Sequence, residues 1–446
     1  SSIKIIEYPA SSIESSITKS TTMKRSFILL IALLVTQLLS AQQFEPNYDE
    51  SKVPKYILPD VLTTFNGKKV KSVKVWENKR RPELLNYFTE NMFGKVPGEL
   101  KISSVEILEQ SDNAYDGKAI RKQVALHFEK NGKKLSFTIL IYLPKNVEKA
   151  PLILGYNFYG NHTVTTDVNV IISDAWVDNN PSFGIINNQL TEQSRGVRTN
   201  RWDIEKMLEA GIGLATIYYG EVDPDKNDFS DGIHPLLYKK NQEKPEVNEW
   251  GSIAAWAWGL SRAMDYFETD KDIDASKVIV FGHSRLGKTS LWAGATDRRF
   301  AAVISNNSGC GGAALSKRAF GETVGRINNA FPHWFCGNFK NYNNNETMMP
   351  FDQHELLALI APRPLYVASA EEDKWADPKG EFLGAYFASP VYKLYGKKGI
   401  VSDEMPAVNK PVQNTVAYHI RTGVHDVTSY DWEQYISWAK EQLNIE

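Results

Sequence analysis

A chain of 446 residues with 42% hydrophobic content can bury a large core, and its length fits one α/β domain or two to three smaller ones. A formal net charge of −2 with 23% charged residues, and no basic run, excludes a polyanion-binding surface and with it a nucleic-acid partner. Aromatics make up 11% of the chain, and their flat faces suit sugar rings, although most rings in a chain this size fill the core.

From the N-terminus, Met23-Lys24-Arg25 is a basic start, residues 26–35 are largely apolar, and Leu39-Ser40-Ala41 ends on a small residue before Gln42. That order reads as a secretory signal over 23–41, cut after Ala41, so the protein is expected to be exported to the periplasm or beyond. The apolar run is too short for a membrane span, and no cysteine near the cleavage point offers a lipid anchor. Residues 1–22, polar and rich in Ser and Thr, read as sequence upstream of the start at Met23. The remainder, 42–446, is expected to be a single catalytic domain and a monomer.

Residues 42–113 read as an irregular lead-in with short helical pieces, such as 80–93. Strands are predicted at 121–129 and 134–142, joined at Lys130-Asn131-Gly132-Lys133, where Asn-Gly is a strong hairpin signal. Strands at 151–156 and 213–219 follow, with helices at 202–210 and 249–269. Further strands are predicted at 277–282, 301–305, 364–370 and 415–422, and a closing helix at 432–443. Short apolar runs alternating with helical segments predict a mostly parallel sheet covered by helices on both faces, a three-layer α/β architecture. Cys310 and Cys336 are the two cysteines, readable either as a disulfide or as two buried thiols. Two cysteines without a Cys-x-x-Cys or His-rich cluster do not suggest a metal site.

The most informative segment is Gly282-His283-Ser284-Arg285-Leu286-Gly287-Lys288, which follows the apolar run Val278-Ile279-Val280-Phe281 and precedes a helical stretch at 289–295. Strand, Gly-x-Ser-x-x-Gly, helix is close to the nucleophile elbow of α/β-hydrolases, with the second glycine one residue late. Ser284 is the candidate nucleophile. In that architecture an acid and then a histidine follow from loops behind later strands. Behind the strand at 364–370 comes Glu371-Glu372-Asp373-Lys374-Trp375-Ala376-Asp377, in which spacing favours Asp373 over its rivals Glu371, Glu372 and Asp377. Behind the last strand, Thr422-Gly423-Val424-His425 presents the histidine. A serine hydroxyl needs a base, an imidazole titrates near neutral pH, and a carboxylate on its far nitrogen fixes the tautomer. Arg285 can give its backbone N–H to the oxyanion and bring its guanidinium to the same charge, worth about 3 kcal/mol, or it can serve as a structural ion pair. A charge beside the nucleophile disfavours an acyl-chain pocket, so the expected substrate is polar.

The elbow at 282–288 resembles that of the glucuronoyl esterases (4-O-methyl-glucuronoyl methylesterases, carbohydrate esterase family fifteen) in their bacterial branch. The similarity extends through Tyr156-Asn157-Phe158-Tyr159-Gly160-Asn161-His162, the stretch from Trp250 to Arg262, Ser308-Gly309-Cys310-Gly311-Gly312-Ala313-Ala314 and Trp375-Ala376-Asp377-Pro378, over roughly residues 50–445. The resemblance implies an α/β-hydrolase that cleaves the ester between 4-O-methyl-glucuronic acid of xylan and lignin alcohols without metal or organic cofactor. It implies Ser284 as nucleophile, His425 as base, Arg285 as oxyanion stabiliser, and Lys288, Glu322 and Trp375 as contacts to the uronate hydroxyls. One departure stands out: Asn307 occupies the place where family members commonly carry a glutamate, which leaves Asp373 as the triad acid. The competing readings are an acetylxylan or feruloyl esterase on the same scaffold and a catalytically inactive carbohydrate-binding homologue.

Overall fold

The computed structural model describes residues 44–446, so the upstream leader and secretory signal expected at 1–41 lie outside the described residues. Among the described residues nine strands form one sheet, in the order β1-β2-β3-β5-β4-β6-β7-β8-β9. β1 (Ser104–Ala114), β2 (Ala119–Lys130) and β3 (Lys133–Pro144) are antiparallel, and β3 pairs antiparallel with β5 (Gly213–Tyr218). From β5 onward the sheet is parallel through β4 (Ala150–Asn157), β6 (Ile273–His283), β7 (Ala302–Asn306), β8 (Leu365–Ala370) and β9 (Val416–Arg421). The predicted Asn131-Gly132 hairpin is present: both residues have positive φ, 55° and 73°, as a two-residue turn between right-twisted strands requires.

Each parallel strand is apolar on both faces because each face meets helices. Leu152, Leu154, Val278, Val280, Val303, Leu365 and Val367 enter one core; the alternate residues Ile153, Ile279, Phe281, Ile304 and Tyr366 enter the other. Five helices that cover these faces are α1 (Ile204–Glu209), α2 (Ser252–Phe267), α3 (Arg285–Thr296), α4 (Pro378–Leu394) and α5 (Ser429–Leu443). α2, α3 and α4 seal the first core with Ile253, Leu260, Leu291, Phe382 and Val391, while α1 and α5 seal the second with Met207, Leu208, Trp432, Tyr435 and Trp438. The result is the three-layer α/β-hydrolase arrangement, and Pro46–Glu446 forms one compact unit. No helix among the described residues is long and apolar enough to cross a membrane.

Three local differences from the sequence reading have physical causes. β1 occupies part of the expected irregular lead-in. It is an edge strand rich in Glu106, Glu109, Gln110, Ser111 and Asp112, with only Ala114 buried, so it lacks the apolar alternation of a half-buried strand. Gly380, Gly384 and Pro390 interrupt the apolar pattern of α4, so the sequence predicts no helix there. A Cβ on Gly384 would run into the Ala313 carbonyl oxygen, so that glycine serves a close crossing rather than a loop. Cys310 and Cys336 are both buried and free, which corrects the disulfide alternative. The Cys336 Sγ faces the Glu90 carbonyl at 3.9 Å, while Cys310 lies among Lys288 and Glu322.

Candidate active site

At the end of β6 the chain turns at Ser284 with φ 59° and ψ −128°, a conformation that costs a non-glycine residue about 1–3 kcal/mol. The flanking glycines permit it. A Cβ on Gly282 would collide with the Leu286 carbonyl, and one on Gly287 would lie 3.0 Å from the Ser308 Cβ. Spacing the second glycine one residue later therefore still lets α3 rest on β6. The Ser284 N–H donates to the Asn306 carbonyl on β7 at 2.9 Å, and its own carbonyl accepts the N–H of Gly287 at 2.9 Å. Arg285 opens α3, so its N–H has no acceptor within the helix. Gly282→Ala is expected to destabilise the fold by about 3 kcal/mol through this overpacking, read as a shift of the urea midpoint at constant m.

The parallel order of β6, β7, β8 and β9 sets their four C-terminal ends side by side, where ligands of open α/β sheets bind. There a cavity of about 350 Å³ is lined by Ser284, Arg285 and Lys288 from the elbow, Asn307 behind β7, Asp373 and Trp375 behind β8, and His425 behind β9. Glu322, Phe331 and Trp334 complete the wall from the long β7–β8 connection. All seven side chains singled out in the sequence are thus brought to one cavity.

His425 Nδ1 and Asp373 Oδ2 are 2.6 Å apart. The same oxygen accepts Asn307 Nδ2 at 2.9 Å. Burial pushes the Asp373 carboxyl up, but the hydrogen bonds and charge of His425 together with Asn307 hold it below the usual carboxylate range. An ionised Asp373 can only accept, so Nδ1 carries the proton and Nε2 is left as the basic nitrogen. Asn307 sits beside Asp373 with φ 47°, as a donor to the acid. The rival acids lie elsewhere: Glu371 and Glu372 are exposed, and Asp377 is engaged by Arg318 at 2.8 Å and caps α4 through Gly380 at 3.0 Å. Beneath His425, at 4.6 Å between ring centroids, His283 is bonded to Asn306 at 2.7 Å, and burial together with His425 pushes it well below the ordinary histidine range. A neutral ring there spares His425 a neighbouring charge.

The Arg285 guanidinium is ion-paired with Asp225 and lies over the rings of Trp334, Phe331 and Phe158, at 4.9, 5.6 and 5.8 Å from their centroids. The ion pair that the sequence allowed is present, and the same side chain lines the cavity beside Ser284. Lys288 is buried and donates from Nζ to the Ser308 carbonyl at 2.6 Å. Glu322 is buried and hydrogen-bonded by Trp375. Burial pushes Lys288 down and Glu322 up, and each opposes the other's shift by its charge. A cation, a carboxylate and an indole converge on one wall, a set able to donate to and accept from hydroxyl groups. Sequence reasoning missed Asp225, Phe331 and Trp334. They come from a Pro-Asp turn and a Phe-Pro-His-Trp segment that carry no motif of their own.

Residues 200–396 match the family model of the fungal glucuronyl esterases. A carbohydrate esterase from an unknown prokaryotic organism is 51% identical over 429 residues, covering 94% of this chain and 99% of that protein. Among solved structures, a promiscuous esterase of carbohydrate esterase family fifteen from a marine bacterial metagenome superposes with TM-score 0.84 at 53% identity, covering 89% of this chain and all of that one. The glucuronoyl esterase from Solibacter usitatus gives TM-score 0.82 at 50% identity over 88% of this chain and 99% of its own. With the serine turn, the His–Asp pair and the cavity they share already in place, these likenesses identify the chain as a carboxylic ester hydrolase of the bacterial glucuronoyl esterases, carbohydrate esterase family fifteen.

Proposed function

We propose that the enzyme hydrolyses esters of glucuronic and 4-O-methyl-glucuronic acid, as in lignin–glucuronoxylan cross-links, by a Ser-His-Asp mechanism with an acyl-enzyme intermediate. The observation that carries this reading is the 2.6 Å contact of Asp373 with His425 Nδ1, on a ring that lines the same cavity as Ser284 at its strained turn. His425 Nε2 takes the proton of Ser284 Oγ as that oxygen attacks the ester carbonyl carbon. The negative charge passes to the carbonyl oxygen, where the Arg285 N–H and guanidinium receive it. Collapse of this adduct expels the alcohol, protonated by His425, and leaves the uronoyl group on Ser284. Water, deprotonated by the same imidazole, then releases the uronic acid and restores the hydroxyl. Lys288, Glu322 and Trp375 hold the ring hydroxyls and so orient the C6 carbonyl. Export, as the basic–apolar–small N-terminal segment suggests, would place the enzyme where plant-wall polymers are.

The test is a substrate panel. Methyl and benzyl glucuronate should be hydrolysed at kcat/KM far above any release of acetate or ferulate from decorated xylan. Release of acetate or ferulate with the uronate esters left intact would overturn the reading. Acetyl ester cleavage is the second reading, favoured by the likeness to an esterase described as promiscuous. Glu322→Gln is expected to raise KM for methyl glucuronate about tenfold with kcat less affected, since a hydrogen bond to a charged group is worth about 1.5–3 kcal/mol. Unchanged kinetics would remove Glu322 from the sugar site.

A further inference from the structure

Arg285 is ion-paired with a residue that does not line the cavity. Asp225 lies in the loop beyond the short helix Tyr219–Val222 that follows β5, with its side chain only 4% exposed. Its two oxygens meet four donors. Oδ1 accepts His333 Nε2 at 2.7 Å and Trp334 Nε1 at 2.7 Å, and Oδ2 accepts the Tyr219 hydroxyl at 2.9 Å and Arg285 Nη1. Burial raises the carboxyl, but His333, Arg285 and Trp334 hold it well below the usual range, so it is ionised and acts only as an acceptor. Two donors on each oxygen use its accepting capacity, which leaves nothing for a substrate. Arg285 still has capacity: it offers five N–H donors, and its side chain, 27% exposed, lines the cavity.

We infer that Asp225 is a positioning residue for Arg285: it fixes the guanidinium against the Phe158–Phe331–Trp334 wall, so that the cation faces the developing oxyanion already aligned. A guanidinium carries five donors in a rigid planar fork on a long flexible stem. The three aromatic faces attract it without fixing its rotation, whereas a charge-assisted hydrogen bond has a direction. Misalignment of an oxyanion donor is felt in the transition state more than in the ground state, so the effect belongs in kcat. The inference rests on the reading of Arg285 as an oxyanion donor.

The experiment is a double-mutant cycle on methyl glucuronate with Asp225→Asn, Asp225→Glu, Arg285→Ala and the Asp225→Asn/Arg285→Ala pair. Asp225→Asn should lower kcat about 30- to 100-fold with KM within about threefold, and Arg285→Ala about 10²- to 10³-fold. The double variant should fall no more than about threefold below Arg285→Ala alone, because the two side chains act as one unit. Asp225→Glu should recover part of the loss. A kcat within about threefold of the parent for Asp225→Asn, or a full further loss in the Arg285→Ala background, overturns the inference. Should Asp225→Asn lack the near-ultraviolet dichroism of the folded chain, Tyr219→Phe takes its place. That change removes one donor from Oδ2 and should lower kcat about three- to tenfold, and only while Arg285 is present. No effect, or an equal effect without Arg285, is the contrary result. If Arg285→Ala itself loses nothing, the oxyanion reading falls; if it does and Asp225→Asn does not, only the role of Asp225 falls.

Discussion

Ser284→Ala is expected to lower kcat on methyl glucuronate by at least about 10⁴-fold while leaving the affinity for free glucuronate within about twofold. In the proposed mechanism Ser284 supplies the oxygen that becomes acylated, and no neighbouring hydroxyl shares its turn: Ser305 and Ser308 are buried and bonded to each other at 2.8 Å. The proposed sugar contacts Lys288, Glu322 and Trp375 are held by partners other than the Ser284 hydroxyl and keep their places when that one oxygen is removed. Kinetics paired with titration calorimetry therefore separates the readings. A carbohydrate-binding homologue without catalysis would show the same sugar affinity and no turnover in the parent chain. An esterase whose nucleophile lies elsewhere would keep its rate in the variant, and that result would remove Ser284 from the mechanism.

Asp373→Asn is expected to lower kcat by about 10³- to 10⁴-fold with little change in KM. The amide is nearly isosteric, so its oxygen can still accept the His425 and Asn307 hydrogen bonds, at 2.6 and 2.9 Å in the parent. Charge is what disappears, and with it the preference for a proton on Nδ1. If the new amide turns its NH₂ group to Nδ1, the imidazole takes the opposite tautomer and presents an N–H to Ser284, which cannot serve as a base. Asn307 cannot take over, because an amide offers no charge to an imidazolium. The check is kcat across pH for parent and variant, with folding followed by thermal melting. A loss below about tenfold would mean that another carboxylate stabilises the imidazolium, and the acid assignment would fail.

The buried carboxyl of Glu381 illustrates how closely this end of the sheet is built around the acid. Burial pushes it up to about 8, and it accepts the Ser369 hydroxyl at 2.6 Å and the Gly309 N–H at 2.9 Å. Glu381 thereby ties the loop behind β7 to β8, the strand that leads into Asp373. The glycine-rich segment 308–314 and α4, which looked separate in the sequence, meet at this carboxyl.

Much of the chemistry was legible along the chain because it is written in local patterns. A β-branched run ending in Gly282, the serine and Gly287 record a turn that only small residues permit. Asp373 and His425 stand directly behind apolar strand runs, and those runs signal themselves by composition. The antiparallel hairpin likewise announces itself through Asn131-Gly132, whose positive φ angles suit few other residues. What the chain could not declare is what depends on neighbours far apart in sequence. β1 is polar because it lies at an edge, α4 contains Gly384 because another backbone crosses it closely, and both thiols are buried and free. Asp225 reaches Arg285 across 60 residues and gathers His333 and Trp334 from more than 100 residues further on. Local sequence determines which backbone shapes are sterically open and which strands must be buried. The choice among loop acids, and the company a buried charge keeps, is settled only when packing brings donors to one carboxylate and desolvation makes each missing partner costly.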